Sequence, residues 1–357
     1  MNYKPVYILL IVCFVHVRGQ AQLLDLLTVG SDSTCVSDQS DRLLLRAFVM
    51  QKFNKYTLGQ QSIPDNITYR ANNNYHFGLG FHYKWLGVNA SFKLPYFNKA
   101  KFGETKFFDL QSYLYLSRFA IDLYLLSYKG YYLSNGHILK NPPPDGELLL
   151  RPDLRTGNYG VNFQYIFNHR KFSYRAAFIQ NACQIRSAGT WLAGFTLNYT
   201  RAKADSAIVP RSLVYDNFYA RQDFNKTSAV VLAFNGGYAY TQVLGKHFFV
   251  TGALLAGMGF NRVALRTDAT DTRDARLHVQ VHMILRGAIG YNTNRDFIGL
   301  QYINYINRNN MPALDGWQQS QAGNIRLTYA RRFQLKKKTA KRLERIEDKI
   351  LPDVLTD

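Results

Sequence analysis

Long runs in which every second residue is apolar or aromatic constrain this chain more than any other feature. Tyr75, Phe77, Leu79, Phe81, Tyr83 and Trp85 alternate with His76, Gly78, Gly80, His82 and Lys84. A strand turns successive side chains to opposite faces, so this run gives one greasy face and one small or polar face. The pattern returns in Tyr159–Phe167, in Trp191–Tyr199, in Phe248–Phe260, in Leu277–Tyr291 and in Ile325–Phe333. It predicts strands over 42–54, 73–85, 87–95, 104–117, 119–131, 157–168, 171–181, 188–200, 228–241, 246–261, 275–291, 296–308 and 320–335. Short and long links largely alternate between them, as in an up-and-down meander. The thirteen segments make an odd number, whereas single-chain bacterial barrels have an even one. The alternation of links breaks at 181–187, so the expected count is twelve or fourteen.

Three properties separate a membrane barrel from a soluble sandwich. The runs often exceed ten residues, whereas strands of soluble proteins average about five or six. The apolar faces of the best runs carry no charge from end to end, as expected when Lys or Arg at the bilayer midplane would cost about 2–4 kcal/mol; Arg331, outward in the last run, lies near its end, where it can snorkel. Aromatics mark the ends of these faces. Ten residues from Tyr75 to Trp85 make about 33 Å of strand; tilted by about 40°, they cover roughly the 25 Å apolar band of an outer-membrane barrel. Backbone groups in lipid must pair internally, so only helices or closed sheets can cross it. The fold class is therefore all-β: a closed antiparallel transmembrane barrel.

Lys4 precedes a 12-residue apolar run, Val6–Val17, which ends near Gly19-Gln20-Ala21. That is the layout of a secretory signal peptide cut after Ala21. Cys13 is not a lipoprotein cysteine, because Val12 before it is not small. The expected organisation is a signal peptide over 1–21, a periplasmic N-terminal segment over 22–40, a barrel over 41–335 and a basic periplasmic tail over 336–357. Cys35 and Cys183 remain after cleavage, and spacing alone leaves their pairing open.

Gly78-Leu79-Gly80-Phe81-His82-Tyr83-Lys84-Trp85-Leu86, with Tyr69 and Asn72-Asn73 before it, resembles a signature of uncharacterised outer-membrane proteins of Bacteroidetes-type bacteria. That family is catalogued as a domain of unknown function, number four-four-two-one. Ser187-Ala188-Gly189-Thr190 is similar too, whereas Ala71 stands where the family usually has proline. The resemblance covers most of the mature chain. It implies the outer membrane of a Gram-negative bacterium and no established activity.

Inward parity assigns Asp109, Asp122, Arg175, Arg186, Arg286, Arg326, His82, His278 and His282 to the lumen. Such residues line an anion-favouring pore or pair with one another and fill it; the sequence leaves both open. No cofactor is expected. His278 and His282 are about 13 Å apart along a strand, too far to share one metal ion. Gly78-x-Gly80 lacks the third glycine and the helix of a dinucleotide loop. No His-x-Ser pattern marks an acyl hydrolase. The function expected is a narrow channel or a structural or partner-binding barrel. An outer-membrane enzyme acting on lipid or lipopolysaccharide and a soluble secreted β protein remain as alternatives.

Lys and Arg number 44 against 24 Asp and Glu, a net charge of +20. The cations are scattered over turns, loops and strands with no recognition helix, which argues against nucleic acid. The expected partners are outer-membrane lipid and lipopolysaccharide, the barrel assembly machinery during biogenesis, and a periplasmic partner for the basic tail.

Overall fold

The computed structural model describes residues 30–72, 75–84, 86–94, 100–144, 146–221, 223–266, 271–273, 278–311 and 315–335. The compact unit spans Ser31–Gln334. The segments 1–21 and 336–357, assigned above to a signal peptide and a basic tail, lie outside the described residues. So does the side chain of His278.

The strands follow the period-two runs. They are β1 (Val36–Asp38), β2 (Leu43–Gln60), β3 (Asn66–Ala71), β4 (Tyr75–Tyr83), β5 (Leu86–Lys93), β6 (Lys106–Tyr115), β7 (Phe119–Leu133) and β8 (Leu150–Ile166). After them come β9 (Ala182–Gln184), β10 (Ala188–Lys203), β11 (Lys226–Leu244), β12 (Phe248–Arg266), β13 (Asp271–Arg273), β14 (His278–Asn292), β15 (Asp296–Met311) and β16 (Gly316–Phe333). Apart from the small β1–β9 sheet, they form one 14-stranded antiparallel sheet. Ten strands close into a ring, because β16 pairs with β2 from Gly316↔Gln60 to Phe333↔Leu43. The segments β4, β5, β6 and β13 attach to that ring.

The wall is inside-out relative to a soluble protein. Along β12, Phe248, Val250, Leu254, Met258 and Phe260 are exposed, while Thr251, Gly257, Gly259 and Asn261 face inward and are buried. The outward residues of β10 and β11 are equally greasy: Trp191 is 68% exposed and Phe234 66%. Small inward residues make room for neighbours, as where the Phe48 ring lies over Gly78 at the position its Cβ would take.

One sector of the ring forks. β3 and β4 both pair with β2, and residues 72–74 fall between them. The β3 end pairs with the end of β7 at Tyr69↔Leu133 and Ala71↔Tyr131. Below that point β4 pairs with β5, and β7 pairs with β6. Two half-length strands thus widen one half of the wall, and among the described residues no ladder joins β5 to β6. β7 changes partner at a bulge between Lys129 and Tyr131. Gly130 there has φ +93°, which favours glycine, and Glu104 O occupies the place of a Cβ.

One sequence expectation fails. Residues 171–181 are not a strand. The 167–187 link between β8 and β10 folds back into the short-turn end of the barrel, and Arg175–Ile179 forms one π-helical turn. β1 pairs with β9 on the same link, so the N-terminal segment packs on this plug. At the other end, the 134–149 and 204–225 loops fold over the mouth. Ile138, Leu139, Ile208, Leu213, Phe218 and Tyr219 join the buried cluster there.

Candidate functional site

The lumen is filled in tiers. At mid-height Asp122 on β7 forms a buried ion pair with Arg286 on β14, across the barrel. Tyr115 Oη donates to Asp122 Oδ1 at 2.8 Å. The Arg286 guanidinium lies 5.4 Å from the Tyr115 ring centre and 5.1 Å from that of Tyr174 on the plug. A cation removed from water is stabilised here by a carboxylate and two aromatic faces at once. Beside it, Lys52 Nζ donates to Asp109 Oδ1 at 2.8 Å, and Tyr128 Oη donates to Oδ2.

Level with this tier and above it the inward face is amide and hydroxyl. Asn198 donates to Tyr124 Oη at 2.6 Å and to Asn158 Oδ1 at 2.7 Å. Asn235 donates to Thr196 Oγ1 at 2.6 Å, and Thr196 donates to Asn162. His282 Nδ1 lies 2.5 Å from Asn307 Oδ1. At the long-loop end Tyr69, fully buried, donates to Ile208 O at 2.6 Å, and Tyr219 donates to Gly59 O at 2.9 Å. These two tyrosines bolt the 204–225 loop into the mouth.

At the opposite end three arginines grip the plug. A helical turn leaves its last carbonyls without partners and its C-terminal end negative, so cations are favoured there. Arg326 Nη2 donates to Phe178 O at 3.2 Å, and Arg332 Nε donates to Gln180 O at 2.8 Å. Arg46 Nη1 donates to Gln180 Oε1 at 2.9 Å, and Gln301 donates to Ala177 O at 2.6 Å. Gln180 ends the turn in the left-handed region, with φ +66°.

The residues assigned to the lumen by parity divide into groups. Asp122, Arg286 and His282 lie in the mid-lumen tiers, buried. Asp109 reaches the lumen from β6, and Arg326 from β16 onto the plug. His82 is buried at the short-turn end of β4, with no partner for its Nδ1 among the described residues. Two placements are corrected. Arg175 is on the plug's helical turn and clasps Asp38 with its two terminal nitrogens at 3.0 and 2.7 Å. Arg186 is exposed in the link before β10. The Arg175 placement followed from the strand over 171–181 that does not form, whereas Arg186 lies in the 181–187 link, outside every predicted strand. Parity also marks Arg46 and Arg332, which the sequence reading passed over; Arg332 is the inward neighbour of the outward Arg331.

Cys35 and Cys183 are buried free thiols. Cys183 Sγ donates to Thr293 O at 3.1 Å. In the antiparallel β1–β9 pair, Cys183 is opposite Ser37 rather than Cys35.

Several buried polar atoms in the lumen lack a partner among the described residues. Both ends of the Gln164 and Gln280 amides and Nε2 of His282 are examples. Buried groups of this kind call for ordered water. Clefts of about 360 and 320 Å³ open instead at the long-loop end, one in the 204–225 loop and one at the fork beside Lys106 and Lys129.

No curated protein matches this chain. Among solved structures it is similar to the outer-membrane protease OmpT of Escherichia coli, at 8% identity over 83% of this chain and 98% of that one, TM-score 0.35. It is similar to the toluene transporter TodX of P. putida, at 8% identity over 87% and 100%, TM-score 0.17. It is also similar to the outer membrane channel DcaP of Acinetobacter baumannii, at 10% identity over 86% and 100%, TM-score 0.20. Likenesses this low carry no argument about activity. The model of the family described as Domain of unknown function (DUF4421) matches residues 30–333, which takes in the barrel, its plug and its loops, and the chain belongs to that family.

Proposed function

We propose that the protein is a closed outer-membrane barrel of a Gram-negative bacterium, exported through residues 1–21, whose role is structural or partner-binding rather than conductive. One observation carries this reading: the lumen is occupied from end to end. The long loops cover one mouth, the Asp122–Arg286 tier crosses the middle, and the plug held by Arg46, Arg326 and Arg332 fills the other mouth. The greasy outward faces of β10, β11 and β12 support the membrane setting, since exposed apolar surface of this extent has no place in water. In this reading the barrel assembly machinery inserts the chain, and the basic tail over 336–357 offers cations to a periplasmic partner.

Planar-bilayer recording tests the closed state. The wild-type barrel is expected to give no steady unitary current, whereas a variant lacking 171–184 is expected to conduct. A persistent wild-type conductance would replace this reading with a channel. Membrane fractionation and heat-modifiable gel migration test the setting: a mature chain that stays folded and dispersed without detergent would remove it.

A further inference from the structure

The strand register places six cations side by side across the outside of the wall. Lys106 on β6 is opposite Lys129 on β7, and Lys129 is opposite Arg155 on β8. Arg155 is opposite Lys203 on β10, Lys203 is opposite Lys226 on β11, and Lys226 is opposite Arg266 on β12. Five are exposed and Lys226 is half-buried. Adjacent strands are about 4.8 Å apart, so the row is about 24 Å long. Like charges directly opposite on a sheet repel and destabilise it. A run of five such pairs makes structural sense only with anions in front of it.

The protein does not supply enough of them. Lys106, Lys129, Arg155, Lys203 and Lys226 form no ion pair among the described residues. Asp153 on β8, and Glu104 and Asp205 just beyond the ends of β6 and β10, stand two residues farther out toward the loops. Asp153 is taken by Arg151 at 2.9 Å, and Asp271 is the register partner of Arg266. Arg201 and Arg262 add a second tier of cations two to four residues nearer the belt. On β15 and β16 the outward pair near this end is Arg308 opposite Gln319, and the Arg308 guanidinium lies 4.0 Å from the Trp317 ring centre.

The occupant is set by what lies beneath the row. Following the same outward faces away from the loops, β10 presents Tyr199, Leu197 and Phe195, and β11 presents Val230, Leu232 and Phe234. From Lys203 to Trp191 is about 40 Å of strand, or about 30 Å of depth at a tilt of about 40°. Lys203 therefore stands at one edge of the apolar belt and Trp191 at the other. Lys and Arg stems can lie along the belt while their heads meet the polar layer. We propose that this row binds the phosphate groups of an anionic membrane lipid, whose acyl chains lie on the apolar faces below. This rests on the membrane reading above.

The probe is phosphatidylglycerol added to the barrel in a nonionic detergent, compared with phosphatidylcholine and with inorganic phosphate, and bound lipid is read by native mass spectrometry. Wild type is expected to prefer phosphatidylglycerol. The triple variant Arg155→Gln, Lys203→Gln, Lys226→Gln is expected to lose about fivefold in affinity per cation, on the order of 100-fold in all. Lys246→Gln with Arg295→Gln, at the short-turn end, is expected to keep the preference. If the triple variant does not fold, wild type still decides: raising salt should release phosphatidylglycerol and leave phosphatidylcholine bound. An unchanged preference in the folded triple variant, no preference in wild type, or inorganic phosphate competing as well as the lipid would each overturn the proposal. All three leave the membrane reading standing; only a barrel that needs no detergent removes both.

Discussion

Two sectors of the same wall are held in different ways. From β10 through β12 to β14 the ladders run unbroken, as in the register from Lys226↔Arg266 to Leu244↔Phe248. There each strand's backbone groups are taken by its neighbours, and the side chains are free to be apolar and outward on one side and lumen-filling on the other. From β3 to β7 the wall forks, and side chains do what the ladder does elsewhere. Thr105 Oγ1 donates to Gly130 O at 2.7 Å and accepts from the Asn72 N–H at 2.8 Å, while Asn72 Nδ2 donates to Gly103 O. The Lys52–Asp109 ion pair ties β6 to β2, and Asp122–Arg286 ties β7 to β14 across the lumen. A regular sheet is specified by its repeat, whereas an interrupted one needs particular residues at particular places.

The largest effect should come from cutting the tie across the lumen. Asp122→Ala leaves the Arg286 cation buried without its carboxylate, and breaking a buried pair from one side costs about 3–5 kcal/mol. The expected outcome is a lower urea midpoint for loss of the heat-resistant folded band. Asp122→Leu with Arg286→Met removes both charges and should restore most of the loss. If the single substitution is silent, the forked sector does not depend on that tie.

Next comes the partner switch itself. Gly130→Val forces a branched residue into a positive-φ position against the Glu104 carbonyl, at a cost of about 1–3 kcal/mol. Gly252→Val is the matching change in the unbroken sector. Nothing lies within 4 Å of its added Cβ, and the expected change is within about 0.5 kcal/mol. Equal effects in the same urea series would erase the distinction between the sectors.

The unbroken sector was legible in the sequence because alternation is local: Trp191 to Tyr199 shows its two faces within nine residues. The fork was not. Its determinants include Asn72 and a glycine at 130, which Thr105 joins only when β3 reaches β7. The plug was misread because Phe172, Tyr174, Ala176 and Phe178 also alternate, and a segment folded into a lumen buries aromatics as a strand does. The signal against a strand was the break in link lengths at 181–187. That the lumen is filled was beyond the pattern altogether. Parity points a side chain inward without telling which partner, 164 residues away in the case of Asp122 and Arg286, meets it there.

A smaller difference should appear in amide exchange. Among the described residues β5 and β6 each have one ladder, to β4 and β7, whereas β11 has two. In detergent, amides of Leu86–Lys93 should exchange before those of β11, since opening follows the number of bonds to be broken. Protection of β5 equal to that of β11 would mean that β5 and β6 zip together in the micelle, and the fork would then be closed.

The smallest effect belongs to the N-terminal segment on the plug. Burial alone would raise the Asp38 carboxyl, but hydrogen bonds and charge from Arg175, with the Ser40 N–H, outweigh it and hold the carboxyl below its ordinary range. A carboxylate depressed in the folded state contributes stability above its unfolded value, near pH 4, and loses it as pH falls through the folded value. Asp38 is half-exposed, so the contribution should be under about 1 kcal/mol. Protection of the β1 and β9 amides should therefore fall on acidification below about pH 4 in wild type. In Arg175→Gln it should already be lower at neutral pH and should change less with acid. The amides of β11 serve as the internal reference, since no part of their ladder involves Asp38. If β1 loses protection with acid as steeply in Arg175→Gln as in wild type, some other group holds the segment on the plug.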